Sequence, residues 1–243
     1  MKNELIKLLH LILGYQNYLR LFTRFKIRFL RYDSRKSDFL FFEKLVTEQA
    51  NIIIIGANTG ITTIPFAKEK SERKVFAYEP VPSNFETLQN CVQYYSVSNI
   101  QNFMIALGNK TGEDKMILPV LSGAKKHGMA HIDHHSINSL EQGENIATHM
   151  DKLDNRIELE NLKIDAIKIV AENYETEIFK GAQNIITKDK PFIYCELWDN
   201  ENRIKTMNLI KEYGYQIFYR EGENLKPYSN ANYKGKNFFF KAK

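Results

Sequence analysis

Cysteine is scarce in this sequence. The 243 residues include only two, Cys91 and Cys195. A disulfide framework would need more, so a reducing compartment is the natural setting for the chain. Because Cys91 falls in a predicted helix and Cys195 in an apolar predicted strand, we expect both to be small core residues.

Long apolar runs, low-complexity tracts and repeats of fixed period are also missing. Glycine and proline, at 12 and 6 residues, are not enriched, so disorder is not expected. The apolar segment 5–13 is interrupted by Lys7 and His10 and lacks a small-residue cleavage site. Since it is too short to cross a bilayer, we predict a cytoplasmic protein.

Acidic residues are nearly absent from the first 36 positions. This stretch carries nine Lys and Arg residues against Glu4 and Asp33, a net charge of +7, whereas the whole chain carries +5. The basic charge therefore belongs to the N-terminal segment and not to the rest of the chain. This distribution disfavours a nucleic-acid-binding core, and we predict no nucleic-acid partner.

Apolar residues in segment 3–31 recur near helical spacing, with arginines between them. The pattern predicts a basic amphipathic helix pair with a hinge at Gly14. Such a pair can cap a sheet, or it can lie on an anionic membrane surface, and both interpretations stay open. We predict peripheral contact with the inner membrane through residues 1–36.

From residue 50 onward the sequence alternates between strand and helix patterns. Four consecutive isoleucines in segment 51–55 are typical of a strand buried on both faces. Ser83 and Glu86 have the spacing of a capping box at a helix start. Further strands are predicted at 74–78, 100–107, 115–120, 166–170, 192–197, 215–220 and 237–241, and helices at 61–70, 83–95, 175–186 and 200–213.

This alternation predicts an α/β, Rossmann-like fold: a mostly parallel sheet with helices on both faces and an antiparallel last strand. We divide the chain into a helical region at 1–45 and an α/β domain at 46–243. Within that domain, residues 121–162 form a polar insertion that holds five of the six histidines.

The turn after the first predicted strand reads Gly-Ala-Asn-Thr-Gly at 56–60. A nicotinamide fingerprint would need glycine at 56, 58 and 61, but the chain has Asn58 and Ile61, so a diphosphate-binding loop is disfavoured. Glu79 follows the second strand, near the spacing at which an acidic residue reaches ribose hydroxyls. The alternative for Glu79 is an exposed carboxylate at a strand end.

These motifs resemble the FkbM family of methyltransferases. The shared elements are the 56–60 loop, Glu-Pro-Val-Pro at 79–82, Ile-Asp-Ala-Ile-Lys-Ile at 164–169, Glu172, Glu175, Lys-Gly-Ala at 180–182, Pro191 and Glu196. The resemblance implies a seven-stranded class I methyltransferase fold, S-adenosylmethionine as cofactor, and O-methylation of a sugar, glycan or related small molecule, as in polysaccharide biosynthesis. The residues expected to bind the cofactor are Gly56, Ala57, Asn58, Gly60, Glu79 and Pro80.

Two positions depart from the family pattern. Ile54 and Val170 stand where the family usually has acids, at strand ends expected to face cofactor and acceptor. A methyltransferase-like module that binds a partner without catalysis is therefore the alternative function.

Methyl transfer to a hydroxyl needs alignment and a general base. Glu172, just past a predicted strand end, is the first candidate; the alternative is a carboxylate placed by a helix dipole. Glu175 is expected to start a helix, and Glu196 to be a hydrogen-bond partner or a wall of the cavity.

The insertion offers a second candidate base. Its histidines are His127, His131, His134, His135 and His149. They fit a solvated loop, one acceptor-contacting histidine or a metal site, and the spacing of His131 and His135 would place both on one helix face. We name His135 as the candidate base and predict no metal, since no ligand set is complete.

Overall fold

A computed structural model describes residues 2–121, 124–125, 127–132, 143–229 and 233–243. Within these ranges no helix is both long and apolar enough to cross a membrane. The helices are α1 Lys2–Leu13, α2 Tyr15–Arg28, α3 Ser37–Leu45, α4 Thr63–Glu69, α5 Pro82–Tyr94, α6 Glu175–Lys180, α7 Gln183–Asp189 and α8 Glu201–Glu212. The strands are β1 Asn51–Ile55, β2 Lys74–Tyr78, β3 Ile100–Phe103, β4 Ala106–Leu107, β5 Gly112–Leu121, β6 Ala124–Lys125, β7 His131–Ile132, β8 Gly143–Asp151, β9 Ala166–Ile169, β10 Phe192–Glu196, β11 Tyr215–Glu221, β12 Asn224–Pro227 and β13 Asn237–Ala242.

The main sheet has the order β12-β11-β13-β10-β9-β1-β2-β3. The five strands from β10 to β3 are parallel, while β13 pairs antiparallel with both β10 and β11. The α/β sheet and its antiparallel last strand are thus confirmed. The predicted number of seven strands is wrong, because the turn at Gly222, with a φ of 60°, folds β12 back onto β11 as an eighth strand.

The isoleucines of β1 divide between two hydrophobic cores, one on each face of the sheet. Ile53 and Ile55 pack in one core, and Ile52 and Ile54 pack in the other. All four are buried. A strand that is apolar at successive positions needs cover on both faces, and the helices on the two sides of the sheet provide it.

A smaller sheet with the order β4-β8-β5-β6 stands beside the main one, and β7 pairs with β5. Its strand β8 runs antiparallel to β5 inside the insertion that the sequence indicated as a polar loop. The prediction missed β8 because only one face of it is buried, so its sequence is mostly polar.

Three further predictions are wrong: one capping box, one continuous strand and one continuous helix. Helix α5 begins at Pro82 with no side-chain cap, so Ser83 and Glu86 do not form a capping box; instead Glu86 pairs with Arg20. The predicted strand 100–107 is two strands, and the predicted helix 175–186 is two helices that meet at Gly181. A Cβ at Gly181 would lie 1.8 Å from the carbonyl oxygen of Gly108, so this backbone approach requires glycine.

The N-terminal helix pair is confirmed, with Gly14 between α1 and α2 at a φ of 72°. Helix α2 packs on α5: the side-chain amide of Gln16 donates to the Ser83 carbonyl and the Thr87 hydroxyl, each at 2.9 Å. Helix α3 covers the sheet, where Phe42 packs against aromatic rings from α4 and β10. The segment is thus split between α3, which lies on the sheet, and α2, which lies on α5.

Arg73, which is fully buried, ties α3 and α4 to the start of β2. Its guanidinium donates to the carbonyl oxygens of Glu43, Val46, Thr47 and Phe66 at 2.7 to 3.2 Å. We expect Arg73→Met to lower the free energy of unfolding by about 3 kcal/mol or more, because buried carbonyls lose a charged donor. Chemical denaturation measures this loss. The control Arg31→Met, which removes an exposed ion pair with Glu69, should change stability by less than about 1 kcal/mol; equal losses would contradict the assignment.

Candidate functional site

A cavity of about 830 Å³ opens at the carboxyl ends of the central parallel strands. In open α/β sheets this edge is where ligands bind. The cavity is lined by the ends of β1, β2, β9 and β10, by β7, and by residues from the N-terminal segment. All of the predicted cofactor-binding residues except Gly60 line it.

The glycine loop is ordered by contacts within the protein. Gly56 has a φ of 71°, and a Cβ there would lie 1.9 Å from the carbonyl oxygen of Val170. Gly60, with a φ of 94°, is buried against Leu88. The two glycines thus permit close packing of the protein on itself.

The amides of the loop are also used internally. Those of Gly56 and Ala57 donate to the Tyr78 carbonyl, and that of Gly60 donates to the Ala57 carbonyl. The Thr59 amide donates to the Asn58 side chain, and the Asn58 amide to Glu79. A diphosphate-binding loop needs amides that point at the ligand. This loop suits a nucleoside without a diphosphate.

Glu79 is buried at the end of β2, so the alternative of an exposed strand-end carboxylate is wrong. One carboxylate oxygen accepts the Asn58 amide at 2.8 Å. The other accepts the Val81 amide and the Asn84 side-chain amide, both at 3.1 Å. Burial raises the pKa of Glu79, and these hydrogen bonds act against that rise. Because a carboxylate has about four acceptor positions, it can still receive a ribose hydroxyl.

Lys168 is a charged residue of the cavity that the sequence did not single out. Its ammonium donates to the Gly56 carbonyl at 3.0 Å and lies on the cavity wall, almost fully buried. Burial, and then the charge of Lys36, lower its pKa to about 8. A lysine within an apolar strand pattern was the available signal, since buried lysines need a specific reason to be retained.

The two departures from the family pattern have different surroundings. Ile54 is buried in the core, is absent from the cavity wall, and is the cross-strand partner of Lys168. The expectation that position 54 faces the cofactor is therefore wrong: a carboxylate there would lie beside Lys168. Val170 does line the cavity, as expected.

Glu172 lines the cavity from the loop after β9. Its φ is 46° and that of Asn173 is 75°, so two successive residues other than glycine adopt the left-handed region. Such strain is held in place by surrounding structure and gathers at functional sites. Burial raises the pKa of Glu172 to about 7, and the charges of Glu196 and Glu175 add to the rise.

Glu175 organises this strained loop. It is the first residue of α6, as predicted, and one carboxylate oxygen accepts the amides of Ala171 and Asn173 at 3.1 and 3.3 Å. Burial raises its pKa to about 7. Glu196 was expected to be either a hydrogen-bond partner or a wall of the cavity; it pairs with Lys236 and also lines the cavity.

Among the histidines, His131 reaches the cavity. It is buried on β7, and its ring Nδ1 lies 3.0 Å from the Met129 carbonyl oxygen. His149 is exposed beside Glu113, and His134 and His135 lie outside the described residues. The spacing of His131 and His135 would place both on one face only of a helix, and His131 lies in a strand. Within the described part of the chain, no three His, Cys, Asp or Glu residues are grouped as metal ligands.

The N-terminal segment forms part of the cavity wall. Phe22 and Lys26 reach it from α2, and Arg35, Lys36 and Phe39 reach it from the following turn and α3. Lys26 and Arg35 both bind the Asp33 carboxylate, at 2.7 Å. The sequence indicated a cap or a membrane helix here, and no periodicity signals which residues face a cavity built from distant strands.

The sequence is similar to those of known proteins. The model of the methyltransferase FkbM domain matches residues 55–217. Methyltransferase 1 of Beauveria bassiana is 22% identical over 173 residues, which cover 66% of this chain and 70% of that protein.

Two solved structures share the fold. Methyltransferase FkbM from Methylobacillus flagellatus superposes with a TM-score of 0.54 at 15% identity, over 82% of this chain and 45% of that one. This chain therefore spans less than half of that relative. An S-adenosylmethionine-dependent O-methyltransferase from Thermotoga maritima gives a TM-score of 0.50 at 12% identity, over 89% of this chain and 71% of that one. Because the family model matches well over half of its residues, the chain belongs to the FkbM methyltransferase family.

Proposed function

We propose that this protein is an S-adenosylmethionine-dependent O-methyltransferase that acts on a hydroxyl of a sugar, glycan or related small molecule. The observation that carries the proposal is that two carboxylates line one cavity, Glu79, which is buried, and Glu172, which is half-buried. Glu79 lies where a ribose would be held, and Glu172 has a pKa near neutrality. A nucleoside site and a general base thus share one cavity.

The wall near Glu79 fits the adenosine part of the cofactor. Pro80, Val81 and Ile105 line it with apolar surface, and the Glu79 carboxylate would receive a ribose hydroxyl. The loop amides are all donated within the protein, which agrees with a cofactor that has no diphosphate. When bound, S-adenosylmethionine supplies an electrophilic methyl group.

Glu172 is the proposed base. As a carboxylate it would take the proton of the acceptor hydroxyl, and a pKa near the working pH balances its ionised fraction against its basicity. Glu175 positions it through the amides of Ala171 and Asn173. The second candidate base, His135, stays a prediction; among the histidines of the described ranges, His131 lies on the cavity wall.

The outer wall supports a hydroxyl-rich acceptor. Trp198, the one tryptophan of the chain, lines it together with Lys36 and Asn237. An aromatic face with polar side chains nearby suits the apolar faces and the hydroxyls of a sugar ring. A role in polysaccharide biosynthesis in the cytoplasm remains our expectation.

Val170 supports a second candidate, a module that binds a partner in the same cavity without catalysis. It lines the cavity where the family usually supplies a carboxylate. This candidate would be favoured if the wild type bound S-adenosylhomocysteine but transferred no methyl group to the acceptors tested, and if Val170→Asp restored the transfer.

We expect Glu79→Gln to weaken binding of S-adenosylhomocysteine by about 1 to 3 kcal/mol, because the hydrogen bond from a ribose hydroxyl to a charged acceptor is lost. Isothermal titration calorimetry measures this change. The affinities for adenosine and for 2′,3′-dideoxyadenosine, which lacks the ribose hydroxyls, distinguish a lost ribose contact from a change in the shape of the loop. The wild type should prefer adenosine and the variant should lose most of that preference. A preference that persists would refute the ribose role, and Glu86→Gln, which removes an exposed ion pair with Arg20 outside the cavity lining, is the matched control.

We expect Glu172→Gln to slow methyl transfer by about 10²- to 10⁴-fold, the usual contribution of a general base. Wild-type turnover should rise with pH through about 7, because the base must be ionised. Transfer of a labelled methyl group from S-adenosylmethionine to a pool of nucleotide sugars measures both effects. An unchanged pH profile in the variant would exclude Glu172 as the base.

The same variant should become more stable relative to the wild type as pH rises. The pKa of Glu172 is about 7 in the folded protein, whereas the ordinary value of a glutamate is 4.5. Between these two pH values the folded protein therefore keeps a proton on Glu172 that the unfolded chain has released. In the wild type, Glu172 therefore lowers the free energy of unfolding by an amount that grows between pH 4.5 and 7 and is constant above that range. Urea denaturation at pH 5 and pH 8 should show Glu172→Gln gaining on the wild type at the higher pH. No relative gain would show that Glu172 titrates normally.

A further inference from the structure

Helix α2 and the turn after it carry an exposed apolar stripe, which consists of Leu21, Phe25, Phe29 and Tyr32. These residues are spaced by four, four and three positions, so they follow one face of the helix and its continuation. All four are exposed, Phe25 to 61%. On α1, Leu8, Leu11 and Ile12 are also exposed at helical spacing, Leu11 to 83%.

Exposed apolar residues are concentrated in this segment. Seven of the thirteen large hydrophobic side chains that are exposed among the described residues lie between positions 8 and 32. Isolated exposed hydrophobics are normal on protein surfaces, but a grouped set marks a site of interaction.

The stripe is not used to hold the fold together. The opposite face of α2 makes the contacts with α5, through Gln16, Arg20 and Arg24. Leu19 and Thr23 are the buried residues of the helix. The fold therefore explains one face of α2 and leaves the stripe unexplained.

Charge identifies the partner. Residues 5–32 contain no Asp or Glu but six Lys and Arg residues. Arg20 and Arg24 are turned toward α5, whereas Arg28 is exposed beside the stripe and Arg31 is exposed near its end. Apolar and aromatic side chains bordered by arginine match the acyl boundary and headgroups of an anionic lipid surface. A second copy of this chain would bring two positive segments together, which charge disfavours.

We propose that α2 binds the surface of an anionic lipid bilayer, with Leu21, Phe25, Phe29 and Tyr32 in the interface and Arg28 at the headgroups. Phe22 and Lys26 of the same helix line the cavity. Docking thereby brings the cavity wall close to the membrane. The binding itself does not depend on the methyl-transfer activity.

Vesicle flotation of the full chain tests the proposal. We expect binding to phosphatidylcholine vesicles with 30% phosphatidylglycerol, little binding to phosphatidylcholine alone, and loss of binding at high salt. The variant Leu21→Ser/Phe25→Ser/Phe29→Ser should bind at least about tenfold more weakly, because interfacial affinity scales with buried apolar area. Arg28→Gln should weaken binding to the anionic vesicles and leave the weak binding to neutral vesicles unchanged.

The matched control is Leu45→Ser/Ile204→Ser, which removes exposed apolar side chains from α3 and α8; Ile204 is exposed to 59%. It should bind like the wild type, and thermal midpoints check that each variant is folded. Equal binding to neutral vesicles, equal loss in the control, or no binding at all would overturn the proposal. A dimer seen by light scattering that the stripe variant abolishes, without vesicle binding, would assign the stripe to a second copy instead.

Discussion

The close approach of β1 to the end of β9 is the constraint on which the cavity depends. Gly56 leaves β1 with a positive φ and lies so close to the Val170 carbonyl that no side chain fits between them. The Lys168 ammonium then binds the Gly56 carbonyl. With the loop fixed in this way, the Asn58 amide reaches Glu79 across from β2. Three neighbouring strands thus share one rigid edge.

Electrostatics at this edge are set mainly by burial. Lys168 and Glu172 depart from their usual pKa values in opposite directions, each toward about neutrality, because desolvation disfavours both charged forms. Each also feels the other's charge as a smaller, opposing effect. The replacement of a family acid by Ile54, the cross-strand partner of Lys168, is consistent with a lysine that is held by a backbone carbonyl and not by a carboxylate.

The turn at Glu172 and Asn173 has a strained backbone, and contacts from distant residues hold it in place. Glycine would suit position 173, but asparagine tolerates the left-handed region through its short polar side chain. Its side chain accepts from Asn200, and its carbonyl accepts from Asn202, both next to the start of α8. Together with Glu175, these contacts over-determine the turn and keep Glu172 on the cavity wall.

Residues whose role depends on local pattern were predictable. The four isoleucines of β1, the glycine loop, the placement of Glu79 after β2 and the antiparallel last strand follow from periodicity and turn chemistry. Predicted boundaries of helices were wrong where the backbone of a distant segment packs against the helix. Gly181 divides a predicted helix because Gly108 packs against it, and periodicity carries no signal of that contact.

The sequence by itself determined the α/β fold, the family and the identity of the carboxylates at the strand ends, because strand and helix patterns and turn residues are local properties. Tertiary structure decided which of these groups share a cavity. It placed Lys168 and His131 on the wall, removed Ile54 from it, and added Phe22, Lys26 and Lys36 from the N-terminal segment. Burial and the charges of distant residues, which shift the pKa values here, exist only once the chain has folded.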